Sequence, residues 1–377
     1  MYRIMTPGPT EVSDSVLKAR SLPCTNPDLD ESFVEFYKET CDLISELLHT
    51  KNETLILGGE GILGLEAACA SMTEPGDRVL VLDNGIYGAG FAGFVTMYGG
   101  VPETLSFDYH DEIDVEKLAA FLKNNHDFKY ATLVHGDTPS SVKNPIEKIC
   151  PLLHQYGILS VVDAVSSAFG EAIDVEACEI DILCGGSQKA VSAPPGLTFV
   201  TISEKAKDVI YHRQQPIASF YANLAVFKTY YEDKWFPYTM PISDIYGLHQ
   251  AMIEIQNKPT MVADHAKLAN AVRTAFTQAG YGLFLKGGYS NTVTAFLVPA
   301  GTTAEAILGT MRNEHNILLA GSLAELSGKV IRIGHMGHNA TKDNMVMVLD
   351  ALDQTFDTLG VKTDASLKDI FLNTYEG

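Results

Sequence analysis

Between Leu55 and Val200 the chain alternates short apolar runs with stretches whose apolar residues recur at helical spacing. Leu55–Leu57, Arg78–Leu82, Ala131–Val134, Ile158–Val162, Asp181–Cys184 and Leu197–Val200 read as strands. Residues 62–72, 91–98, 115–122 and 145–156 read as helices, and Pro145 suits a first turn, where a missing N–H is harmless. The strand segments are apolar at consecutive positions, the mark of strands buried on both faces. Separated by helices, they predict a mainly parallel sheet covered on both sides. Ligands of such sheets bind beyond the carboxyl ends of the strands.

From Pro241 to Gln256 the pattern predicts a long helix leaving this unit. A helix over 266–279, a strand over 291–298, a helix over 304–313, a strand over 329–333 and a helix over 344–359 follow, which suits a smaller α/β domain. A length of 377 residues accommodates two domains of roughly 100–200 residues each. The expected division is 11–255 for the large domain and 256–377, with 1–10, for the small one. There is no internal repeat and no low-complexity segment.

Composition narrows the function. Against 27 Lys+Arg stand 47 Asp+Glu, a net charge of −20, which argues against nucleic acid or an anionic membrane as the main partner. The six cysteines include no C-x-x-C pair, and several sit in apolar runs such as Ala67-Ala68-Cys69. They read as small buried hydrophobes in a reducing compartment, not as metal ligands or disulfides. No apolar run approaches the roughly 18–20 residues of a membrane helix, and no signal peptide opens the chain, so a cytoplasmic location is expected.

Gly59-Glu60-Gly61-Ile62-Leu63-Gly64 spells the G-x-G-x-x-G of dinucleotide-binding proteins, between a strand and a helix, and Asp83 ends the next strand. That makes a nicotinamide oxidoreductase one reading. The simpler reading is a glycine-rich turn at a helix N-terminus, which suits any anion.

Two other positions decide between them. Asp163 ends the strand Ile158–Val162, and Lys189 lies in Gly186-Ser187-Gln188-Lys189-Ala190, just past the strand Asp181–Cys184. Each alone is ordinary: the aspartate as a helix N-cap, the lysine as an exposed loop residue. As a pair at one sheet edge they match pyridoxal chemistry. A lysine there forms a Schiff base, and an aspartate keeps the pyridine nitrogen protonated so that the ring accepts carbanion electrons. A nicotinamide enzyme has no use for that pairing.

On these residues the sequence resembles the fold-type I, class V aminotransferases, in the group of alanine–glyoxylate and serine–pyruvate aminotransferases. The likeness runs from Thr6-Pro7-Gly8-Pro9 to Arg332-Ile333-Gly334. It is strongest over Val162-Asp163-Ala164-Val165-Ser166-Ser167 and from Gly186 to Ala190 with Ala193-Pro194-Pro195-Gly196; Asn84-Gly85-Ile86-Tyr87-Gly88 and Leu65-Glu66-Ala67-Ala68 add to it. The resemblance implies a large domain with a seven-stranded, mainly parallel sheet, a smaller C-terminal α/β domain and pyridoxal 5′-phosphate as cofactor. It implies that Lys189 carries the ring and moves the proton, and that Asp163 meets the pyridine nitrogen. Tyr87 would stack on the ring and Thr138 contact its oxygen. Gln188 and the N–H groups around Gly61 and Ile62 would hold the phosphate, and Thr239 would reach it from a second subunit of a homodimer. Arg332, with Gly8 and Glu60 nearby, would receive a small amino acid or 2-oxo acid, its planar fork suiting an α-carboxylate.

One position departs from the family. Glu60 stands where a serine or threonine is usual, and a carboxylate facing a phosphate dianion is repulsive. Either its side chain turns away or the ring bound here lacks its phosphate. The stretch Gly59–Ala68 is similar to that of pyridoxamine–pyruvate aminotransferase, a relative that uses unphosphorylated pyridoxamine as donor, and Glu60 would then accept from a 5′-hydroxyl. Against this stand Gln188, a phosphate ligand of ordinary members, and Leu323, where that relative carries a second arginine. The expected reaction is amino transfer from an alanine- or serine-type donor to pyruvate or glyoxylate, with pyridoxamine as the alternative donor. A cysteine desulfurase would need a cysteine within 318–328, and there is none.

Overall fold

The computed structural model describes residues 2–362 and 365–377. Its main sheet has seven strands: β1 (Glu53–Gly58), β2 (Arg78–Asp83), β3 (Val101–Ser106), β4 (Tyr130–Val134), β5 (Leu159–Asp163), β6 (Ile182–Gly186) and β7 (Leu197–Ile202). They lie in the order β1-β7-β6-β5-β4-β2-β3. Neighbours pair in parallel except β7, which runs against both β1 and β6. The reversal has a plain cause. Only the segment 187–196 separates β6 from β7, and a parallel return needs a crossover of a dozen or more residues. The lysine-bearing segment is therefore a tight return at the edge where β1, β4, β5 and β6 end.

The sheet is legible from the apolar runs except for β3. Val101–Ser106 is half-exposed and carries Pro102, so its pattern is weak; it forms the outer edge, where a missing donor is tolerated. The helix expected from Phe91 begins earlier, at Ile86, because Gly85 at φ +155° admits the turn out of β2. Pro145 takes the N-cap position of the helix Ile146–Gln155.

The helix Gly61–Met72 is packed against the sheet, and its small residues explain how: a Cβ at Gly64 would lie 3.3 Å from Thr198 Cβ. Its far end is closed by Arg213, whose guanidinium donates to the carbonyls of Ala70, Ser71 and Thr73 at 2.8, 2.8 and 2.9 Å. These carbonyls lack partners within the helix.

Beside two small clusters that join Val142 and Ala190 to residues between 284 and 336, two large cores result. One draws on residues from Val16 to Met252, and the other on Met5 and residues from Leu268 to Phe371. The second surrounds a small antiparallel sheet in which Val330–Gly334 lies between Val293–Leu297 and Ala320–Gly321. The N-terminal strand Arg3–Ile4 pairs in parallel with Ile317–Leu318. Among the described residues, no helix is long and apolar enough to cross a membrane.

Candidate active site

The carboxyl ends of β1, β4, β5 and β6 open on a cavity of about 310 Å³ whose wall includes Glu60, Tyr87, Thr138, Asp163, Gln188 and Lys189, with Gly8 entering from the N-terminal segment and Ile62 from the helix start. That is the lower end of the size range of small-molecule sites. These side chains come from loops far apart in sequence, and parallel strand polarity brings them to one edge.

Asp163 is buried, and its Oδ1 accepts the Val165 amide at 2.9 Å. Loss of water pushes its carboxyl up to about 7, with Asp137 and Glu60 adding to the shift and Lys189 opposing it. Lys189 shows the converse. Burial and then the Arg332 guanidinium push its amine down to about 8, against the pull of Asp163, Glu60 and Asp137. Its Nζ donates to the Pro7 carbonyl at 2.7 Å. A buried carboxylate short of counter-charge beside a desolvated amine fits a cationic pyridine nitrogen and an aldehyde carbon. The residues present therefore suit the pyridoxal group.

The opposite end of the cavity is occupied by the chain itself. Glu60 is the N-cap of the helix Gly61–Met72: its Oε1 accepts the Ile62 amide at 3.2 Å, and its Oε2 accepts from Gln188 Nε2 at 2.9 Å. So Glu60 does not turn away. Its carboxylate sits on the anion-attracting end of the helix and engages the residue expected to hold a phosphate. Gln188 Oε1 is buried with no partner among the described residues. Gly61 is fixed by packing, since a Cβ there would lie 2.6 Å from a Val165 methyl.

Arg332 projects from the small domain. Its Nε donates to the Gly321 carbonyl at 2.8 Å and its Nη1 to the Thr138 carbonyl at 3.2 Å. Among the described residues no carboxylate lies within 4.0 Å of its nitrogens, so the charge remains available to an acid. Burial lowers its affinity for the proton, with Tyr87 and Asp137 opposing.

Asp137, which no feature of the sequence singles out, organises this side of the site. It is buried, and it accepts the Tyr87 amide at 3.3 Å and both the amide and hydroxyl of Ser140, at 3.1 and 2.7 Å. The turn that it closes offers the Thr138 carbonyl to Arg332 and the Pro139 carbonyl to Ser322 Oγ, 2.8 Å away. Nothing in the sequence pattern marks this, because the contacts join residues 50, 183 and 194 positions apart. Thr239 stands apart: it is exposed, outside the cavity, with its hydroxyl 3.4 Å from Asp28 Oδ2.

The dinucleotide reading fails on Asp83. Its Oδ1 accepts from the Tyr109 hydroxyl at 2.5 Å and its Oδ2 from Ser106 Oγ at 2.9 Å, so the carboxylate is spent inside the fold.

Comparison with known proteins agrees with this chemistry. The family model described as aminotransferase class-V matches residues 13–280. The chain belongs to the class-V aminotransferases. It is thus an enzyme of a pyridoxal-phosphate-dependent family of fold type I. This aminotransferase is 33% identical to the pyridoxamine–pyruvate transaminase of Mesorhizobium japonicum, over 95% of this chain and 92% of that one. It is 30% identical to the alanine–glyoxylate aminotransferase of Rattus norvegicus, over 93% and 86%. In structure it resembles the ureidoglycine–glyoxylate aminotransferase of Bacillus subtilis, with a TM-score of 0.95 and 29% identity over 100% of this chain and 98% of that one. Likeness to cysteine desulfurases, at 14% identity, concerns the fold alone.

Proposed function

We propose that this aminotransferase moves an amino group from a small donor of the alanine or serine type to pyruvate or glyoxylate, using pyridoxal 5′-phosphate. The observation that carries the reading is the pairing of Asp163 with Lys189 at one sheet edge, within electrostatic reach of Arg332, which has no carboxylate partner among the described residues. When bound, the ring supplies an electron sink for the substrate's Cα–H bond. Lys189 would hold the ring through Nζ and, when free, would carry the proton from substrate Cα. An amine poised at about 8 has a neutral fraction near neutral pH that can accept it. Asp163 would face the pyridine nitrogen and keep it protonated, and Tyr87 and Thr138 would help to hold the ring. Arg332 binds the α-carboxylate and so fixes which Cα–H bond faces the lysine. Gly8 borders the substrate.

The names of relatives support this choice of substrates, since pyruvate and glyoxylate recur as acceptors among them. We further assign residues 11–255 to the large domain and 256–377, with 1–10, to the small one, a division supported by the two cores. The working form is a homodimer in which Thr239 completes the phosphate site of the partner subunit, a reading supported by its exposure beside the stacked, partly open pair Tyr221 and Tyr238. A cytoplasmic setting is supported by free cysteines, five of them buried.

A second reading is favoured by Glu60. Its carboxylate already fills the helix N-terminus and engages Gln188, so a phosphate dianion would have to displace it, whereas a 5′-hydroxyl would donate to it. In that case unphosphorylated pyridoxamine is the amino donor and pyruvate the acceptor. Absorbance of the purified protein separates the two. Yellow protein that bleaches with L-alanine and regains colour with glyoxylate supports the first reading. Colourless protein that releases pyridoxal from pyridoxamine and pyruvate supports the second. Failure of both reactions would overturn the proposal.

A further inference from the structure

The Pro7 carbonyl is a buried acceptor, and Lys189 Nζ is the donor that meets it. The segment that carries Pro7 is pinned at both ends. On the small-domain side, Arg3 N donates to Asn316 O at 2.8 Å and Met5 N to Leu318 O at 2.9 Å, while Gly334 N donates to Met5 O at 2.8 Å. Asn339 clamps the same stretch, with Nδ2 donating to Ile4 O at 2.5 Å and Oδ1 accepting from Glu11 N at 3.1 Å. On the lysine side, Thr10 N donates to Gln188 O at 3.1 Å and Thr10 Oγ1 donates to Lys189 O at 3.2 Å.

Between the anchors at Met5 and Thr10 lie Thr6, Pro7, Gly8 and Pro9. Two prolines with fixed φ, and a Thr6 hydroxyl that donates to Pro9 O at 2.9 Å, leave this link little freedom. Gly8 takes φ +99°, and a Cβ there would stand 2.7 Å from Lys189 Cε and 2.8 Å from Nζ, so any side chain at this position would push the end of the lysine aside. At the other end, a side chain on Gly334, two residues past Arg332, would strike the Thr6 carbonyl. The segment thus touches both the strand that carries Arg332 and the amine of Lys189.

We propose that residues 3–10 form a strap that seats the free amine of Lys189 on the Pro7 carbonyl and ties its position to the small-domain strand bearing Arg332. The inference rests on the aminotransferase reading, in which Lys189 is alternately bound and free. Pro7 and Gly8 are then positioning residues: they hold the lysine where it can return to the ring, and a carboxylate arriving at Arg332 is felt at the amine through the strap.

The test uses full-length protein freed of any ring and needs no turnover. Lys189 is trace-acetylated with acetic anhydride and quantified by peptide mass spectrometry against the exposed Lys286, with and without pyruvate. Ring capture is followed separately by absorbance after mixing with pyridoxal. In the natural protein, pyruvate is expected to change Lys189 acetylation about fivefold, the low end of ordinary coupling between sites. Gly8→Ala should move the amine off its seat, changing basal acetylation and slowing ring capture by about tenfold or more. Thr10→Val, which removes a single hydroxyl at the lysine anchor, carries the same expectation at smaller size should Gly8→Ala not fold. Asn339→Ala, which removes two of the hydrogen bonds that hold the strap and leaves its backbone bonds to Asn316, Leu318 and Gly334 in place, should weaken the pyruvate response severalfold while calorimetry still registers pyruvate binding. Wild-type acetylation and ring capture in both lysine-side variants, or an intact pyruvate response in Asn339→Ala, would overturn the strap. Loss of transamination in the natural protein with these acetylation patterns intact would instead count against the proposed function.

Discussion

The two ends of the cavity treat charge in opposite ways. At the Asp163–Lys189 end the fold leaves charges unbalanced: a carboxyl pushed up to about 7 and an amine pushed down to about 8, both by burial first. At the Glu60 end it balances them, with a carboxylate on a helix N-terminus and an amide from Gln188 donating to it. The first end awaits a cationic ring and a carbonyl; the second supplies the anion that a helix N-terminus ordinarily takes from a ligand. A carboxylate already hydrogen-bonded at one end and charges left unbalanced at the other mean that ring chemistry and phosphate recognition are separable here.

The largest effect should come from Lys189→Ala, which removes the attachment and the proton carrier together. Turnover is expected to fall by more than about 10³-fold, and the protein should form no reducible adduct with the ring. A variant that retained turnover would end the comparison, because the unsatisfied end would then have no chemistry.

Asp163→Asn should lower kcat by roughly 10²–10³-fold, measured under ring saturation. It should also stabilise the ring-free protein at high pH. The folded carboxyl at about 7 lies above its ordinary 3.8, so ionisation is harder in the folded state. The native protein therefore loses stability relative to the variant as pH rises from about 4 to about 7. Above that window the difference is constant, and below it the difference vanishes. Thermal melts of both proteins at pH 5 and pH 8 read the sign directly.

Arg332→Gln keeps a polar amide but shortens the side chain and removes the charged fork. KM for the 2-oxo acid should rise by about 10²-fold with a smaller fall in kcat, the loss expected of one bidentate carboxylate contact. Equal loss in both parameters would move Arg332 from substrate binding to the chemical step.

The smallest effect sharpens the satisfied end. Glu60→Ser removes the negative charge and keeps a good N-cap, so stability should change by less than about 0.5 kcal/mol. Affinity for pyridoxal 5′-phosphate should rise by about tenfold, the result of relieving one like-charge contact near the surface, while affinity for unphosphorylated pyridoxal should fall. Spectroscopic titration with the two rings separates a change in phosphate recognition from a general change in ring binding.

Asp163 and Lys189 were legible because each follows an apolar run long enough to be a buried strand, and strand ends of a parallel sheet share an edge. The sheet itself was legible for the same reason, save for β3, whose exposure and Pro102 blur the pattern. Asp137 was not legible in its role, since its partner Tyr87 lies 50 residues away and only folding makes them neighbours. The Pro7 carbonyl carries no side-chain signal at all. Glu60 was conspicuous in the sequence, but its two partners, Ile62 N and Gln188 Nε2, depend on where the loop after β6 comes to rest.

What the sequence determined by itself is therefore local and periodic: the strands, the helices, and the carboxylate and amine that strand polarity must deliver to one edge. The tertiary structure decided how much each of those groups is deprived of water, which anion holds the helix N-terminus, and which distant carbonyls meet Arg332 and Lys189. Periodicity is written in neighbouring residues, whereas desolvation and hydrogen bonding between remote segments exist only once the chain has closed around them.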